Sequence, residues 1–470
     1  MNQLGKIIQA EVLRIEEESR GKEIPCRPLF HIMPPAGWLN DPNGLCWFQG
    51  KYHVFFQYSP FDVNGGLKIW GHMTGEDLIN WEYQGAPLLA DTPYDCHGVY
   101  SGSAWTEDGI MHLFYTGNVK FEDKEYDYIN NGRGSCVLHV SSRDGIHFSE
   151  KKVVLTNEDY QEDYTCHVRD PKVWKEDGKY RMILGGRRKD GKGAVLFYQS
   201  EDLEHWELEK ELTTENPFGY MWECPDLFSV NGQKILSVSP QGLEAQEYCY
   251  QNIYQSGYYL IEKEESRELQ QFREWDYGFD FYAPQTFEDN RGRRILIGWM
   301  GMPDSTEEYQ NPTVAQGWQH VLTLPREITV REKKVYQYPV EELKEQRKDR
   351  AEIKGGEVYS FEGNYFEVEA EAARGDLKIC LDEDLHLEYE ENTREIRLIF
   401  TGAGGCGRTI RKTRLEEFHS VRLIADASCV EIYLNQGEMV FSTRYYPQTE
   451  KRSLKLEGNW KSADFYKLGR

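Results

Sequence analysis

The 470-residue chain has no uninterrupted apolar run near the roughly 20 residues that a membrane-spanning helix needs. It also lacks an excess of positive charge, because its formal net charge is −24, which argues against nucleic acid or an anionic membrane surface as a partner. Its ten cysteines include no Cys-x-x-Cys pair and its 12 histidines no His-Glu-x-x-His pattern. A zinc site of the usual kind therefore finds little support.

The first 26 residues have neither a continuous apolar stretch nor a small-residue cleavage site, so they do not resemble an export signal. Apolar residues recur at helical spacing and predict a helical extension over residues 1–26; they are Leu4, Ile7, Ile8, Val12 and Ile15. The cysteines lie singly in apolar segments, as reduced and buried thiols do. Together these features predict a cytoplasmic protein.

Five segments of the chain repeat one form: a short apolar strand, a turn with glycine, then an alternating strand. The turn glycines are separated by 59, 69, 54 and 60 residues and are Gly50, Gly109, Gly178, Gly232 and Gly292. Each period has room for about four short strands with their turns. This pattern favours a β-propeller over a helical solenoid, and it predicts five blades over residues 27–330.

The pattern changes after the fifth repeat. Residues 331–350 are charged and helix-prone, which predicts a linker helix. From residue 351 to 470 short alternating strands predict a second all-β domain, most simply a sandwich. The predicted fold is therefore all-β, a five-bladed β-propeller followed by a C-terminal β-sandwich.

Acidic side chains occupy similar positions in three of the five repeats. Counting back from the turn glycine, Asp41 and Glu223 precede it by nine residues and Asp170 by eight. Ser101 and Ala283 hold the place in repeats two and five. Since the starts of the inner strands converge around a propeller axis, we expect the three carboxylates to face one another at one end of the channel.

Clustered carboxylates repel one another, so their pKa values separate and their roles can differ. Cleavage of a glycosidic bond needs such a pair, one acid to attack the anomeric carbon or activate water and one to protonate the leaving oxygen. The abundance of aromatic residues, 30 Tyr and 12 Trp, suits sugars that stack on rings, although rings also fill sheet cores. Turn capping, pairing with Arg169, or a calcium site remain alternatives for these acids.

Seven motifs carry a family resemblance. They are WLNDPNG (38–44), YSGSAW (100–105), VRDPKVW (168–174), WECPDLF (222–228), FYAPQTF (281–287), IGWM (297–300) and GWQHVLTLPRE (317–327). Together they resemble glycoside hydrolase family 32, the invertase and sucrose-6-phosphate hydrolase family, over nearly the whole chain from His31. The resemblance implies a five-bladed propeller with a β-sandwich and retaining hydrolysis of β-fructofuranosides. It implies no metal and no organic cofactor.

By its motif positions, the resemblance implies that Asp41 is the nucleophile, Glu223 the acid/base and Asp170 a stabiliser that holds fructose hydroxyls. It further implies a fructose pocket lined by Trp38, Leu39, Asn40, Gln57, Trp70, Tyr100, Ser101, Arg169 and Trp299. One position departs from the family, because Gly65 stands where a tryptophan is common. This change alters one wall of the expected pocket.

The sequence thus predicts a β-fructofuranosidase that acts on a small sugar, sucrose or sucrose 6-phosphate. A fructan hydrolase or fructosyltransferase on the same scaffold remains open, as does a non-catalytic sugar-binding protein. A chain of net charge −24 needs local basic groups to hold a phosphorylated sugar. The candidates for this role are Lys68, Lys120 and Arg133.

Overall fold

The computed structural model describes residues 2–22, 24–121, 127–261, 269, 271–304 and 309–470. None of the helices within those ranges combines the length and the apolar character that crossing a membrane requires. Strands make up most of the secondary structure, in five blade sheets and one large C-terminal sheet.

The chain begins with helix α1 (Gln3–Ser19), which packs on the first blade. The Asn2 side chain caps the helix by accepting a hydrogen bond from a backbone amide of its first turn. Ile8 and Val12 belong to the same hydrophobic core as the blade-one strands. The Tyr83 hydroxyl of blade one donates to Glu16 at 2.6 Å, which fixes the other side of the helix.

Five blades follow, each an antiparallel sheet. Blade one contains β1 (Gly37–Phe48), β2 (Lys51–Ser59), β3 (Ile69–Gly75) and β4 (Glu82–Leu88). Blade two contains β5 (Val99–Glu107), β6 (Ile110–Lys120), β7 (Arg133–Ser142) and β8 (Lys152–Leu155). Blade three contains β9 (Tyr164–Glu176), β10 (Lys179–Arg188), β11 (Gly193–Ser200) and β12 (Glu207–Thr213). Blade four contains β13 (Met221–Val230), β14 (Gln233–Gln241), β15 (Gly257–Ile261) and β16 (Arg273–Glu274).

Blade five closes the ring against blade one. Its sheet contains β17 (Tyr282–Glu288), β18 (Arg294–Met300), β20 (Val321–Leu322), β21 (Arg326–Arg331) and β22 (Lys334–Pro339), and the chain between β18 and β20 forms the short strand β19 (Trp318–Gln319). Strand β19 leaves this blade and pairs in parallel with the start of β1. The first strands of neighbouring blades, β1, β5, β9, β13 and β17, contact one another in a closed circle and therefore surround the axis.

The C-terminal domain is built on two long strands. Its strands are β23 (Arg347–Glu352), β24 (Val358–Glu362), β25 (Tyr365–Leu381), β26 (Leu385–Glu390), β27 (Glu395–Phe400), β28 (Ile410–Arg414), β29 (Ser420–Asp426), β30 (Cys429–Leu434), β31 (Met439–Arg444) and β32 (Lys451–Leu468). Strands β25 and β32 pair along their lengths with register shifts midway, and β25 pairs with β29 on one side of the shift and with β26 on the other. The two halves share one hydrophobic core, as the layers of a sandwich do.

The junction between the domains differs from the predicted linker helix over residues 331–350. Strand β22 continues the propeller to Pro339, and only a short 3₁₀ helix (Glu341–Gln346) separates it from β23. Tertiary contacts outweigh the helix propensity of this charged run, because Leu343 is buried and Glu342 pairs with Arg293 at 2.7 Å.

Buried charges join the two domains. His31 Nδ1 lies 2.7 Å from Asp426 Oδ2, and its Nε2 lies 2.9 Å from Glu431 Oε1. Arg326 of blade five reaches the same Glu431 at 2.5 Å. Burial opposes charge on the imidazole, but the hydrogen bonds and charges of its two carboxylate partners outweigh it and raise the pKa of His31 to about 9.

Candidate active site

Each inner strand contains a bulge, where two of its residues face one residue of the next strand. In blades three, four and five the bulge begins at a residue with positive φ that precedes a proline: Asp170 (φ 65), Cys224 (φ 45) and Ala283 (φ 48). Positive φ is costly for residues other than glycine, so tertiary packing holds this strained backbone in place. The bulges turn side chains toward the axis at one end of the channel.

The bulge corrects the repeat position predicted for Glu223. Its structural equivalent in blade three is Arg169, and the equivalent of Asp170 in blade four is Cys224. The bulge residue lies eight positions before the turn glycine in both blades, so the count of nine for Glu223 reaches one residue too far back. The three acids still meet at one site, but from two adjacent levels of the inner strands.

Asp41 and Asp170 lie on either side of a buried thiol. Ser101 Oγ donates to Asp41 Oδ2 at 2.5 Å, and the Asn40 amide donates to Oδ1 at 3.1 Å. Asp170 Oδ2 accepts from the backbone N–H of Cys224 at 2.9 Å. The Cys224 Sγ lies 3.7 Å from Oδ2 of each aspartate, so the thiol separates the two carboxylates.

Glu223 is held through both of its oxygens. Arg169 donates to Oε1 from Nη2 at 2.5 Å and from Nε at 3.1 Å. The Tyr282 hydroxyl and the Gln241 amide donate to Oε2 at 2.6 and 2.7 Å. These four bonds fix the direction of the carboxyl group.

Burial sets the electrostatics of the cluster. It raises the pKa of Asp41, against the lowering effect of the Ser101 hydrogen bond, and the charge of Glu223 adds to the rise. Burial likewise raises the pKa of Asp170 to about 7, with Arg169 opposing the shift and Glu223 adding to it. The cluster therefore retains a proton close to neutral pH.

The acids line a cavity of about 660 Å³. Seven of the nine expected pocket residues also line it: Trp38, Asn40, Gln57, Tyr100, Ser101, Arg169 and Trp299. The structure corrects the prediction for Leu39 and Trp70, because neither residue lines the cavity and both are fully buried. Leu39 points away from its lining neighbours in the alternating strand β1, and the Trp70 indole supports the wall from behind by donating to the Tyr100 carbonyl at 3.1 Å.

Gly65 leaves space that a lysine fills. A Cβ at Gly65 would lie 2.8 Å from Lys68 Nζ and 3.3 Å from the Trp38 indole. The Lys68 ammonium lies 4.9 Å from the centroid of the Trp38 ring, where a cation–π contact is favourable. Where the family commonly has an aromatic wall, this chain therefore has a positive charge.

Arg133 was predicted from the sequence as a phosphate ligand, but it does not line the cavity. Its side chain is 3% exposed and its guanidinium carbon lies 5.0 Å from the Tyr100 ring. Its Nη1 is 3.3 Å from His167 Nδ1, which also accepts from Arg169 at 3.0 Å. Strand β7 carries Arg133 inward, so it adds positive charge behind the wall rather than at the opening.

Sequence reasoning missed Gln241, His97 and Asp304, which also line the cavity. Gln241 ends β14, where antiparallel pairing brings it beside the start of β13. Only the register of that hairpin could have indicated it, because no motif marks the residue. Asp280, three residues before Ala283, does not line the cavity and pairs with Arg408 of the C-terminal domain at 2.7 Å.

The acids do not form a metal site in this arrangement. Within the described ranges no group of three or more His, Cys, Asp or Glu side chains could hold a metal ion. The Arg169 guanidinium supplies positive charge next to Glu223 and lies 3.9 Å from Asp170. A calcium ion among the same acids would have to compete with this cation.

Comparison with known proteins gives matches along nearly the whole chain. The model of the glycosyl hydrolases family 32 N-terminal domain matches residues 31–339, and that of the family 32 C-terminal domain matches residues 343–468. The sucrose-6-phosphate hydrolase of Bacillus subtilis (strain 168) is 40% identical over 445 residues, which cover 90% of this chain and 89% of that protein. The raffinose invertase of Escherichia coli is 36% identical over 448 residues, 91% of each chain.

Solved structures agree with this assignment. A sucrose-6-phosphate hydrolase from Lactobacillus gasseri superposes with a TM-score of 0.88 at 26% identity, covering 98% of this chain and 96% of that one. A mutant GH32 β-fructofuranosidase of Bombyx mori in complex with sucrose gives a TM-score of 0.86 at 29% identity, covering 100% and 99%. The site geometry, the family models and these relatives lead to one conclusion: the chain belongs to glycosyl hydrolase family 32.

Proposed function

We propose that the protein hydrolyses the β-fructofuranosidic bond of sucrose and sucrose 6-phosphate and releases fructose. One observation carries the proposal: two carboxylates, Asp41 and Glu223, lie in one sugar-sized cavity in different hydrogen-bonding environments. Two such acids are what glycosidic-bond cleavage requires. The names of the Bacillus subtilis and Lactobacillus gasseri relatives support the choice of substrates.

In the proposed reaction, Asp41 attacks the anomeric carbon of the fructosyl group while Glu223 donates a proton to the leaving oxygen. This step breaks the C–O bond, releases the glucose portion and leaves a fructosyl ester on Asp41. Glu223, now ionised, removes a proton from water, and the hydroxide oxygen displaces the ester to give fructose and free Asp41. Two displacements at the same carbon retain its configuration.

The remaining polar residues are proposed to hold the fructosyl group. Arg169 is bonded to Glu223 and Asn40 to Asp41, and Asp170 and Gln57 line the same cavity. Their side chains are bonded to one another or to the acids, so they are ordered before a sugar enters. Such preorganisation lowers the activation barrier by several kcal/mol in well-studied enzymes.

The proton that Glu223 donates is proposed to come from the acid cluster. Asp170 has a pKa of about 7, so about half of the free protein carries a proton on this carboxyl at neutral pH. A fructosyl hydroxyl that donates to Asp170 would favour its ionised form. The proton would then pass to Glu223, where the leaving oxygen needs it.

Product analysis tests the proposal. Incubation with sucrose and with sucrose 6-phosphate should release fructose from both, together with glucose or glucose 6-phosphate. With methanol present, a retaining enzyme should also form methyl β-fructofuranoside, which NMR distinguishes from the α anomer. Absence of hydrolysis would favour a sugar-binding protein, and fructosyl chains longer than the substrate would favour a transferase.

A further inference from the structure

Among the described residues at the mouth of the cavity, the basic side chains lie together on one side. Lys68, His97 and Lys120 belong to the rim formed by blades one and two, whereas Asp304 lies on the blade-five side. Neither lysine forms an ion pair with a carboxylate in the part of the chain that the structure describes. In a protein of net charge −24, two ammonium groups at a cavity mouth that have no ion-pair partner among the described residues call for an explanation.

Backbone contacts place the three basic residues next to one another. The Lys68 carbonyl accepts from the Val99 N–H at 2.8 Å, so the blade-one loop lies against the chain that carries His97. The Lys120 N–H donates to His97 Nδ1 at 3.1 Å. Because Nδ1 accepts, the neutral ring carries its proton on Nε2 and keeps that nitrogen as a donor.

The glycine at position 65 is what lets Lys68 take part. Its missing side chain leaves the space beside Trp38 that the Lys68 ammonium occupies, since a Cβ there would lie 2.8 Å from Nζ. Burial lowers the pKa of Lys68 to about 7, against the raising effect of Asp41 and Asp62. An anionic ligand would offset this cost of desolvation.

We infer that Lys68, His97 and Lys120 form a binding site for a phosphate monoester on the leaving-group sugar. The inference rests on the proposed function, which places the fructosyl group among the acids and the leaving group toward the mouth. A phosphate offers three acceptor oxygens to two ammonium groups and one imidazole N–H. The site would make the enzyme prefer phosphorylated sucrose over sucrose.

The ratio of kcat/KM for sucrose 6-phosphate to kcat/KM for sucrose tests the site. We expect this ratio to be about 10 or more for the wild type. Lys68→Met should lower the ratio by about tenfold, because the phosphate loses one charge-assisted hydrogen bond. Gly65→Ala should lower it as well, because the new Cβ displaces the ammonium. Lys51→Met, an exposed lysine outside the cavity, is the matched control and should leave the ratio unchanged.

Calorimetry makes the same comparison without turnover. The Asp41→Asn variant should bind sucrose 6-phosphate with a Kd about tenfold or more below that for sucrose. In the double variant that also carries Lys68→Met, the two Kd values should be similar. Equal binding of the two sugars, or a Lys68→Met ratio equal to wild type in both assays, would overturn the phosphate site. If neither sugar is hydrolysed but the difference in binding persists, the proposed function fails and the phosphate site stands.

Discussion

At the scale of single residues, the two acids proposed for bond cleavage differ in the groups that hold them. Asp41 accepts from neutral donors, the Ser101 hydroxyl and the Asn40 amide. Glu223 is bound by the Arg169 guanidinium as well as by neutral donors. Different environments allow two carboxyl groups with similar intrinsic pKa values to act as nucleophile and as acid.

Asp41→Asn tests the nucleophile. An amide cannot form the fructosyl ester, so kcat for sucrose should fall by about 10³-fold or more. The swap keeps the shape of the side chain, and the melting temperature should stay within a few degrees of wild type. A variant that retained a tenth of wild-type kcat would exclude Asp41 from this role.

Asp170→Asn tests the buried proton. The folded-state pKa of about 7 lies above the ordinary value for Asp, so the native state binds more protons than the unfolded chain between pH 4 and pH 7. The free energy of unfolding of the wild type therefore falls as the pH rises through this window. The asparagine variant cannot ionise and should be more stable than wild type by about 1 to 4 kcal/mol at pH 8.

Urea denaturation at several pH values measures this difference. The advantage of Asp170→Asn should shrink as the pH falls toward 4 and vanish below it, where the wild-type carboxyl becomes protonated in both the folded and the unfolded state. A difference that did not change between pH 8 and pH 4 would show that Asp170 is not the group that titrates.

At the scale of elements, strand β1 both carries Asp41 and closes the propeller. Gly37 at its start has a φ of 65, and its N–H donates to the Gly317 carbonyl at 2.8 Å. A Cβ there would lie 2.2 Å from the Ser59 carbonyl oxygen. Only glycine fits, because the backbones of β1 and β2 approach so closely at this point.

Gly37→Ala should therefore destabilise the fold and weaken the closure between β1 and β19. Gly50, in the turn after β1, is a matched control with a φ of 82 and no heavy atom within 4 Å of its Cβ position. Gly50→Ala should cost only the backbone strain of about 1–2 kcal/mol. Thermal unfolding should show the larger loss for Gly37→Ala, and equal losses would contradict the close approach.

The elements also show what the sequence could predict. The turn glycines and the alternation of the hairpins specify the blades, and the Asp-Pro pairs lie at the bulges of β1 and β9. The offset of Glu223 could not be predicted, because a bulge is a property of the pairing between strands. The same holds for Trp70 and Gln241, whose orientation depends on strand register.

At the scale of the whole molecule, buried charges hold the sandwich to the propeller. His31 precedes β1, and its partners Asp426 and Glu431 belong to β29 and β30. No pattern in the sequence could pair residues 395 positions apart, so this contact was not predicted. It fixes the segment that leads into β1, the strand that carries Asp41.

His31→Gln tests the interface. The folded-state pKa of about 9 lies above the ordinary value of 6.5, so the stabilisation is fully present below pH 6.5 and is lost as the pH rises through 9. The variant should lose about 3 kcal/mol of unfolding free energy at pH 6, because two buried carboxylates lose their cation. The difference in unfolding free energy between His31→Gln and the wild type should be smaller at pH 10 than at pH 6.

His205→Gln is the control for this experiment. His205 also pairs with a carboxylate, Asp202, but its side chain is 86% exposed, and its loss should leave stability nearly unchanged. Equal effects of the two substitutions at pH 6 would contradict the importance of the buried pair.

The covalent intermediate on Asp41 is the central claim, and mass spectrometry of the trapped enzyme tests it most directly. Glu223→Ala removes the acid and the base, so an aryl β-fructofuranoside, whose leaving group needs no proton, should fructosylate the enzyme faster than water can release the sugar. After quenching and digestion, the peptide that contains Asp41 should show the added mass of one fructosyl group. Azide added before quenching should displace the fructosyl group and abolish this mass increase. An adduct on a peptide without Asp41, or release of the aryl alcohol with no adduct at all, would contradict the account.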